Sequence, residues 1–415
     1  LLATLWAWSE HSTLTGAFVQ ASDIAHGLFG DVAVSSYQGL MGALRSYTAQ
    51  LLPTLRRHLH RRMEQAAGPH WRIGAWLPLA VDGSRVTTPR TRSNEQAFAA
   101  AHFGKGGRAR SRTKWKNKRR RSKQLSTPVK PQIWLTLIWH MGLKMPWCWK
   151  TGPSTACERH HLLELLRTEE FPPQTLFCAD AGFVGYELWN TLAQRGASFL
   201  IRVGANVHLL RKLAQVRQRS DLVYLWPNAV ARRRQPPLVL RLLAFQGVEG
   251  PVYLVTNVLA DRELSLAQGR DLYRLRWGIE LQFRALKQTF GRRKLRSRTA
   301  DNALVELDWS LVGLWLIQLF AAREQIRIEL PPAHSSVALA LRVIQDAMRN
   351  WTQAFPPPLS LRHQLRAAVT DRYRRRTSKQ ARYRPAYKDK PCATQPIIRM
   401  ATPAQRRAYL ALAAA

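Results

Sequence analysis

The chain has 415 residues, with 64 Lys and Arg against 26 Asp and Glu, so its formal net charge is +38. This excess points to a polyanionic partner, and a hydrophobic content of 46% excludes a disordered basic tail because such a chain can bury sizeable cores. The four cysteines form no CxxC pair, which argues against a disulfide framework and is typical of a reducing compartment.

The first predicted elements are helices over residues 1–72, where leucines recur at helical spacing before a basic end at 56–62. An apolar run follows from Ala75 and closes with Asp82 and Gly83. This form predicts a buried strand that ends at the aspartate and enters a turn.

Residues 105–123 contain eleven Lys or Arg. Such a run repels itself and predicts a loop that tracks phosphates, although a solvated insertion has the same composition. A second basic stretch, 372–390, interleaves tyrosines with cations and is either a DNA-tracking tail or a plain solvated end. The cations of the first run taken as DNA-binding candidates are Lys105, Arg119, Arg120 and Arg121.

A second acidic strand end is predicted at Asp180, after the apolar run from Thr175. Because ligands bind at the carboxyl edge of parallel strands, the two aspartates are candidate site residues. The surrounding predicted elements are strands at 133–140, 145–150 and 198–203, and helices at 159–167 and 186–195. Cys148, Cys157, His160 and His161 form a weaker pattern for zinc, since the first gap exceeds ordinary finger spacing.

Residues 205–261 break this alternation and predict further strands at 222–226, 238–245 and 252–256. Residues 273–287 contain no Pro and predict a helix. At about 100° per residue, Tyr273, Arg276, Glu280 and Lys287 fall within an arc of roughly 60°. A lone carboxylate among cations suits a site for metal and phosphate, although ion pairs on a solvated helix face look the same. Beside it lies an apolar stripe of Leu272, Ile279, Phe283, Leu286 and Phe290.

The order Asp82, Asp180, Glu280, with Tyr-x2-Arg-x3-Glu-x6-Lys around the last acid, resembles the DDE transposases of bacterial insertion sequences. The resemblance is to the group with a Tyr-Arg-Glu-Lys motif. The segments 82–94 and 180–202 also resemble those around the family's two aspartates, so the resemblance covers roughly residues 75–300.

The resemblance implies an α/β fold with a ribonuclease H-like mixed-sheet catalytic core, a β-rich insertion, and helical N- and C-terminal regions. Sequence order alone would equally allow other mixed α/β folds. The predicted domains are a helical region at 1–72, which binds transposon ends in the resembled family, and a catalytic domain at 73–300 with its insertion at about 205–261. Residues 301–415 are predicted to be helical and then basic and loop-like from Asp371 onward.

The resemblance also implies a metal site in which Asp82 bridges two Mg²⁺ ions while Asp180 and Glu280 each bind one, with Mn²⁺ as a substitute. Carboxylate oxygens are the hard ligands that Mg²⁺ prefers, and two such ions support an in-line displacement at phosphorus. The alternative is that the aspartates only cap turns at strand ends.

Tyr273, Arg276 and Lys287 are expected to contact DNA near the scissile phosphate. The expected partners are double-stranded DNA, the inverted repeats of the transposon ends and target DNA, bound by a dimer in the cytoplasm at the nucleoid. No membrane is expected, because the apolar stretch 303–321 contains Glu306 and Asp308 and predicts a buried helix.

Two other functions fit the sequence: a related nuclease without strand transfer, and a decayed, non-catalytic DNA-binding remnant.

Overall fold

The computed structural model describes residues 1–99, 130–214, 217–247, 250–352, 360–370 and 395–413. Ten strands form one mixed sheet in these ranges. They are β1 (Leu77–Thr87), β2 (Gln132–His140), β3 (Met145–Gly152), β4 (Thr175–Ala179), β5 (Ser198–Val203), β6 (His208–Arg211), β7 (Leu222–Leu225), β8 (Leu238–Gly247), β9 (Gly250–Thr256) and β10 (Ile397–Met400). The order across the sheet is β10-β6-β7-β8-β9-β5-β4-β1-β2-β3.

Along the chain, helices come before, between and after the strands of this sheet. The helices are α1 (Leu2–Trp8), α2 (Leu14–Phe29), α3 (Tyr37–Ala67), α4 (Arg92–Phe98), α5 (Glu158–Thr168), α6 (Tyr186–Gln194), α7 (Asn228–Arg232), α8 (Leu266–Leu275), α9 (Gly278–Arg284), α10 (Ala300–Ile326), α11 (Val337–Arg349), α12 (Leu361–Ala367) and α13 (Pro403–Ala413). Short 3₁₀ turns lie at Gly68–His70, Ala181–Phe183 and Pro332–His334, and a π-helical turn at Ala285–Thr289.

One half of the sheet is the five-strand unit β3-β2-β1-β4-β5, in which β1, β2 and β3 are antiparallel neighbours while β4 and β5 run parallel to β1. The strands and helices predicted between residues 133 and 203 are confirmed. The predicted end of β1 at Asp82 is wrong. β1 continues to Thr87 because Gly83 to Thr87 pair with β2.

The predicted insertion strands are also confirmed, and they extend the same sheet because β9 pairs antiparallel with β5. The expectation of a loop-like C-terminus is wrong for its last part. β10 pairs in parallel with β6 at the sheet edge, and α13 carries Tyr409, whose ring packs edge-on against Trp226. The end of the chain therefore covers the insertion.

The predicted N-terminal helices are confirmed, and they share one hydrophobic core with the sheet. Trp8 of α1 donates its indole N–H to the carbonyl of Gly313 in α10, and Trp309 donates to Thr48 of α3. α10 is long and apolar enough to span a membrane, but 78% of its apolar window is buried inside the protein. The expectation of a buried helix is therefore confirmed, and the domain boundaries stay predictions.

Asp308 joins α10 to the sheet by accepting a hydrogen bond from the Trp149 indole of β3 at 2.7 Å. Burial raises the pKa of Asp308 to about 6, although Trp149 and Arg56 both favour its ionised form. Because the unfolded carboxyl titrates near 3.8, the folded state is penalised above pH 6 and not below pH 4.

We therefore expect Asp308→Asn to raise the free energy of unfolding by about 1 to 3 kcal/mol at pH 8, at about 1.4 kcal/mol per pKa unit. It should change little at pH 4. Urea denaturation at both pH values measures this, with Asp301→Asn in the first turn of α10 as the control. An equal gain at both pH values would contradict the electrostatic explanation.

Candidate active site

The two predicted aspartates lie side by side on neighbouring strands. β1 and β4 are parallel, and their last paired residues are Val81 and Ala179. Asp82 is the next residue of β1, and Asp180 directly follows the end of β4, so the register brings them to the same edge. Each carboxylate accepts a backbone N–H at 2.8 Å, Asp82 from Gly83 and Asp180 from Gly182.

Asp82 is also held by a cation. A guanidinium nitrogen of Arg276 lies 3.6 Å from Asp82 Oδ2, and both side chains are largely buried. Burial nevertheless raises the pKa of Asp82 to about 6; the Gly83 N–H and Arg276 oppose this rise, and the negative charges of Asp180 and Glu280 add a smaller contribution to it. The site thus carries more negative charge than its nearby cation neutralises.

The structure divides the segment 273–287, which was predicted as one continuous helix, into shorter helical segments. α8 ends at Leu275, α9 begins at Gly278, and the π-helical turn Ala285–Thr289 follows. A Cβ atom at Gly278 would clash with ring atoms of Trp139, so close packing accompanies the interruption. The predicted apolar stripe is confirmed, since all five of its members are buried.

The predicted DNA contacts of this motif are placed unequally. Glu280 is exposed on α9, whereas Tyr273 and Arg276 are buried, only 6% and 5% exposed. The Arg276 guanidinium lies 5.6 Å from the Tyr273 ring centre and 5.0 Å from that of Trp277. Arg276 therefore contacts Asp82 rather than lying free on the surface.

Lys287 approaches the site from the other end of the motif. Its ammonium donates to Ser84 Oγ at 2.6 Å, two residues after Asp82. Burial and the nearby Arg293 lower the pKa of Lys287.

Tyr273 has a hydroxyl without a hydrogen-bond partner in the described part of the chain, and burial raises its pKa to about 12.

A cavity of about 760 Å³ adjoins the motif. Trp277 lines this cavity and is 54% exposed. Tyr273 lies beside it, and the cationic lining residues are Arg202, Arg270 and Arg274. The cavity thus combines aromatic faces with positive charge.

Glu158, the first residue of α5, lies close to both aspartates and was not among the residues predicted from the sequence. Burial, Asp82 and Asp180 together raise the pKa of Glu158 to about 7, against a smaller opposing effect of Arg85. The signal available in the sequence was weak, because an acid in the first turn of a helix is common.

The donor chemistry of this edge fits divalent cations, because several carboxylates crowd together with one neighbouring cation within 4.0 Å among the described residues. As they stand, no three His, Cys, Asp or Glu side chains of the described ranges lie close enough to hold one metal ion. The zinc pattern is not assembled either, since Cys148 is buried and His161 bonds Thr136.

Four predicted DNA-binding cations, Lys105, Arg119, Arg120 and Arg121, lie outside the described residues, as does the second basic stretch at 372–390. The structure thus brings together Asp82, Asp180, Arg276 and Lys287. Glu280 lies near enough to act electrostatically on Asp82.

Several known proteins are similar to this chain. It is 28% identical over 254 residues to a transposase for insertion sequence element IS4 from Escherichia coli K12, covering 59% of this chain and 51% of that protein. It is 25% identical over 209 residues to a putative transposase from Sinorhizobium fredii, covering 48% of this chain and 56% of that protein. The chain thus spans about half the length of these curated relatives.

Among solved structures, the piggyBac transposase synaptic complex with hairpin DNA matches 71% of this chain and 58% of its own at 14% identity and a TM-score of 0.36. That likeness is too low to define the fold. The family model described as the transposase DDE domain matches residues 77–316, more than half of the chain and the whole span from β1 into α10. On this match, the chain belongs to the transposase DDE domain family.

Proposed function

We propose that this protein is a DNA transposase that cleaves and joins the ends of an insertion-sequence element by in-line phosphoryl transfer, with Mg²⁺ or its substitute Mn²⁺. The observation that carries the proposal is the register of β1 and β4, which sets Asp82 beside Asp180 within the span of the transposase domain. The strand order β3-β2-β1-β4-β5, with three antiparallel and two parallel strands, supports a ribonuclease H-like core.

Asp82, Asp180 and Glu280 would hold the divalent cations in this proposal. When bound, these ions supply activation of a water or a 3′-hydroxyl and stabilise charge on the leaving oxygen. Asp82 would hold a cation with the carboxylate that Arg276 contacts, and the Arg276 guanidinium would then face a phosphate. A guanidinium offers two parallel hydrogen bonds to a phosphate, which suits that second position.

The DNA strand is proposed to run along the motif from Lys287 to the cavity beside Trp277. Lys287 places a point charge next to Ser84, two residues from Asp82. At the other end, the exposed Trp277 ring and the cationic lining suit a stacked base and its phosphate. The four residues of the Tyr-Arg-Glu-Lys motif are thus proposed to lie along the path of the DNA strand.

The remaining partners are proposed from charge and family. A net charge of +38 suits double-stranded DNA, both at the inverted repeats and at the target. We propose that the protein acts as a dimer on DNA, in the cytoplasm at the nucleoid. The cysteines Cys148, Cys157 and Cys178 are unpaired in the described ranges, in keeping with a reducing compartment.

Lys287→Ala is expected to slow single-turnover cleavage about tenfold to over a hundredfold, because a charge-assisted hydrogen bond is worth about 1.5 to 3 kcal/mol. General DNA affinity should barely change, since one charge of +38 is lost. Filter binding beside cleavage kinetics separates the two effects.

Arg284→Ala is the matched control for Lys287→Ala, because Arg284 is an exposed cation of the same motif, in α9. It should leave cleavage within about twofold of wild type, as surface changes usually do. An equal loss of cleavage in both variants would mean that Lys287 has no special role compared with another cation of the same motif.

The proposed function is tested on a linear DNA fragment that carries the element's inverted repeats, identified from the flanking genomic sequence. Cleaved ends joined to a target plasmid in the presence of Mg²⁺ are the expected products. Cleavage without joining would favour the related nuclease, and binding without cleavage would favour a decayed remnant. Both outcomes overturn the proposal.

A further inference from the structure

The side chain of Glu158 lies across the two strands that carry the aspartates. α5 begins at Glu158, and its carboxylate packs against Gly83, the residue after Asp82. A methyl group built on Gly83 would lie 2.6 Å from Cδ of Glu158, and one on Gly182 would lie 3.6 Å from Oε2. Glu158 therefore lies between Gly83 of β1 and the 3₁₀ turn that follows Asp180.

The glycine at position 83 is explained by space and not by backbone conformation. Neither Gly83 nor Gly182 has a positive φ, so an L-residue could adopt either backbone. A side chain at 83, however, would occupy the place of the Glu158 carboxylate. The chain thus leaves room for this carboxylate at the position next to Asp82.

The Glu158 carboxylate has no cation in direct contact within the described part of the chain, although Arg85 acts on it electrostatically from farther away. Within the described ranges it forms no hydrogen bond and no ion pair within 4.0 Å, whereas Glu164 and Glu169, on and after the same helix, pair with Lys150 and Arg56. A half-buried carboxylate without a cation is unfavourable on its own. Its position is favourable if a cation binds there.

We propose that Glu158 is a further ligand of the divalent-cation site, a carboxylate that binds beside Asp82 and Asp180. This inference rests on the proposed function and assigns one more residue to its metal site. The oxygens facing Gly83 and Gly182 are the donors. Glu158 enters from α5 and Glu280 from α9.

The test is Mn²⁺ binding by the full chain without DNA, followed by the electron paramagnetic resonance signal of free Mn²⁺. Glu158→Gln keeps the shape of the side chain and removes its charge, and it is expected to weaken Mn²⁺ affinity by roughly tenfold or more. Glu164→Gln, in the same helix and paired with Lys150 at the surface, should bind as wild type does. Affinity of Glu158→Gln within twofold of wild type would overturn the inference.

A second pair of variants tests the contact itself. Gly83→Ala should displace the Glu158 carboxylate and weaken Mn²⁺ binding, and it should weaken binding no further in a Glu158→Ala background. Equal losses in both backgrounds would overturn the inference, since Gly83→Ala would then act without Glu158.

Asp82→Ala and Asp180→Ala distinguish this inference from the proposed function. If they lose Mn²⁺ binding and Glu158→Gln does not, only the role of Glu158 fails. If neither aspartate variant changes Mn²⁺ binding, the proposed metal site fails and the role of Glu158 with it.

Discussion

Replacing Asp82, Asp180 or Glu280 with alanine is expected to abolish DNA cleavage while DNA binding remains. Each change removes a proposed cation ligand, and the loss of several kcal/mol of charge stabilisation corresponds to roughly a thousandfold in rate or more. Binding to DNA comes mainly from the net charge of +38, which changes by one unit only. Single-turnover cleavage and filter binding on the same fragment measure the two properties.

The effects of the three variants should differ in folding even where they agree in activity. Asp82→Ala leaves Arg276 buried without its acidic partner, which is costly for a buried pair. Glu280 is exposed, so Glu280→Ala should unfold at the wild-type temperature.

Asp301→Ala, at an exposed position of α10, is the activity control. Cleavage within tenfold of wild type for any one of the three would remove that acid from the proposed site.

Binding to unrelated duplex DNA is expected to weaken steeply as salt is added. A protein that engages about six to ten phosphates loses roughly 10³ to 10⁵ in affinity between 50 and 200 mM salt, because each contact releases condensed counterions. A fluorescence anisotropy titration at four salt concentrations gives the slope. A shallow slope would contradict the role of the basic segments as phosphate trackers.

Replacing residues 105–123 with a glycine-serine linker of equal length should flatten that slope. The segment holds eleven Lys or Arg, and each phosphate contact adds about 0.9 to the slope. Replacement of 372–390 by the same kind of linker compares the second basic stretch directly. An unchanged slope for 105–123 would identify it as a solvated insertion.

Local patterns were enough to predict much of the secondary structure and the identity of the candidate acids. Apolar runs closed by Asp and Gly predicted β1 and β4, and the helical spacing of Leu272, Ile279 and Phe283 predicted a buried stripe. These patterns arise from neighbours along the chain, which is why they could be read without a fold. The Asp, Asp, Glu order also indicated the family that the domain match shows.

Tertiary structure decided how these elements combine. The register of β1 on β4, which pairs Val81 with Ala179, sets Asp82 beside Asp180 across about a hundred residues of chain. Pairing with β2 carries β1 past its predicted end, and pairing with β6 turns the C-terminal segment into a strand. Such hydrogen bonds depend on a distant partner, so no local propensity reveals them.

For the charged site residues, too, the residue type could be read from the sequence, whereas the tertiary structure decided the position. The cationic type of Arg276 was evident from the motif, but its burial against Asp82 depends on how this segment packs on β1. Glu158 had the pattern of an ordinary helix start. Only the packing of α5 against Gly83 brings its carboxylate to the aspartates, because electrostatic environment is set by neighbours in space and not by neighbours in sequence.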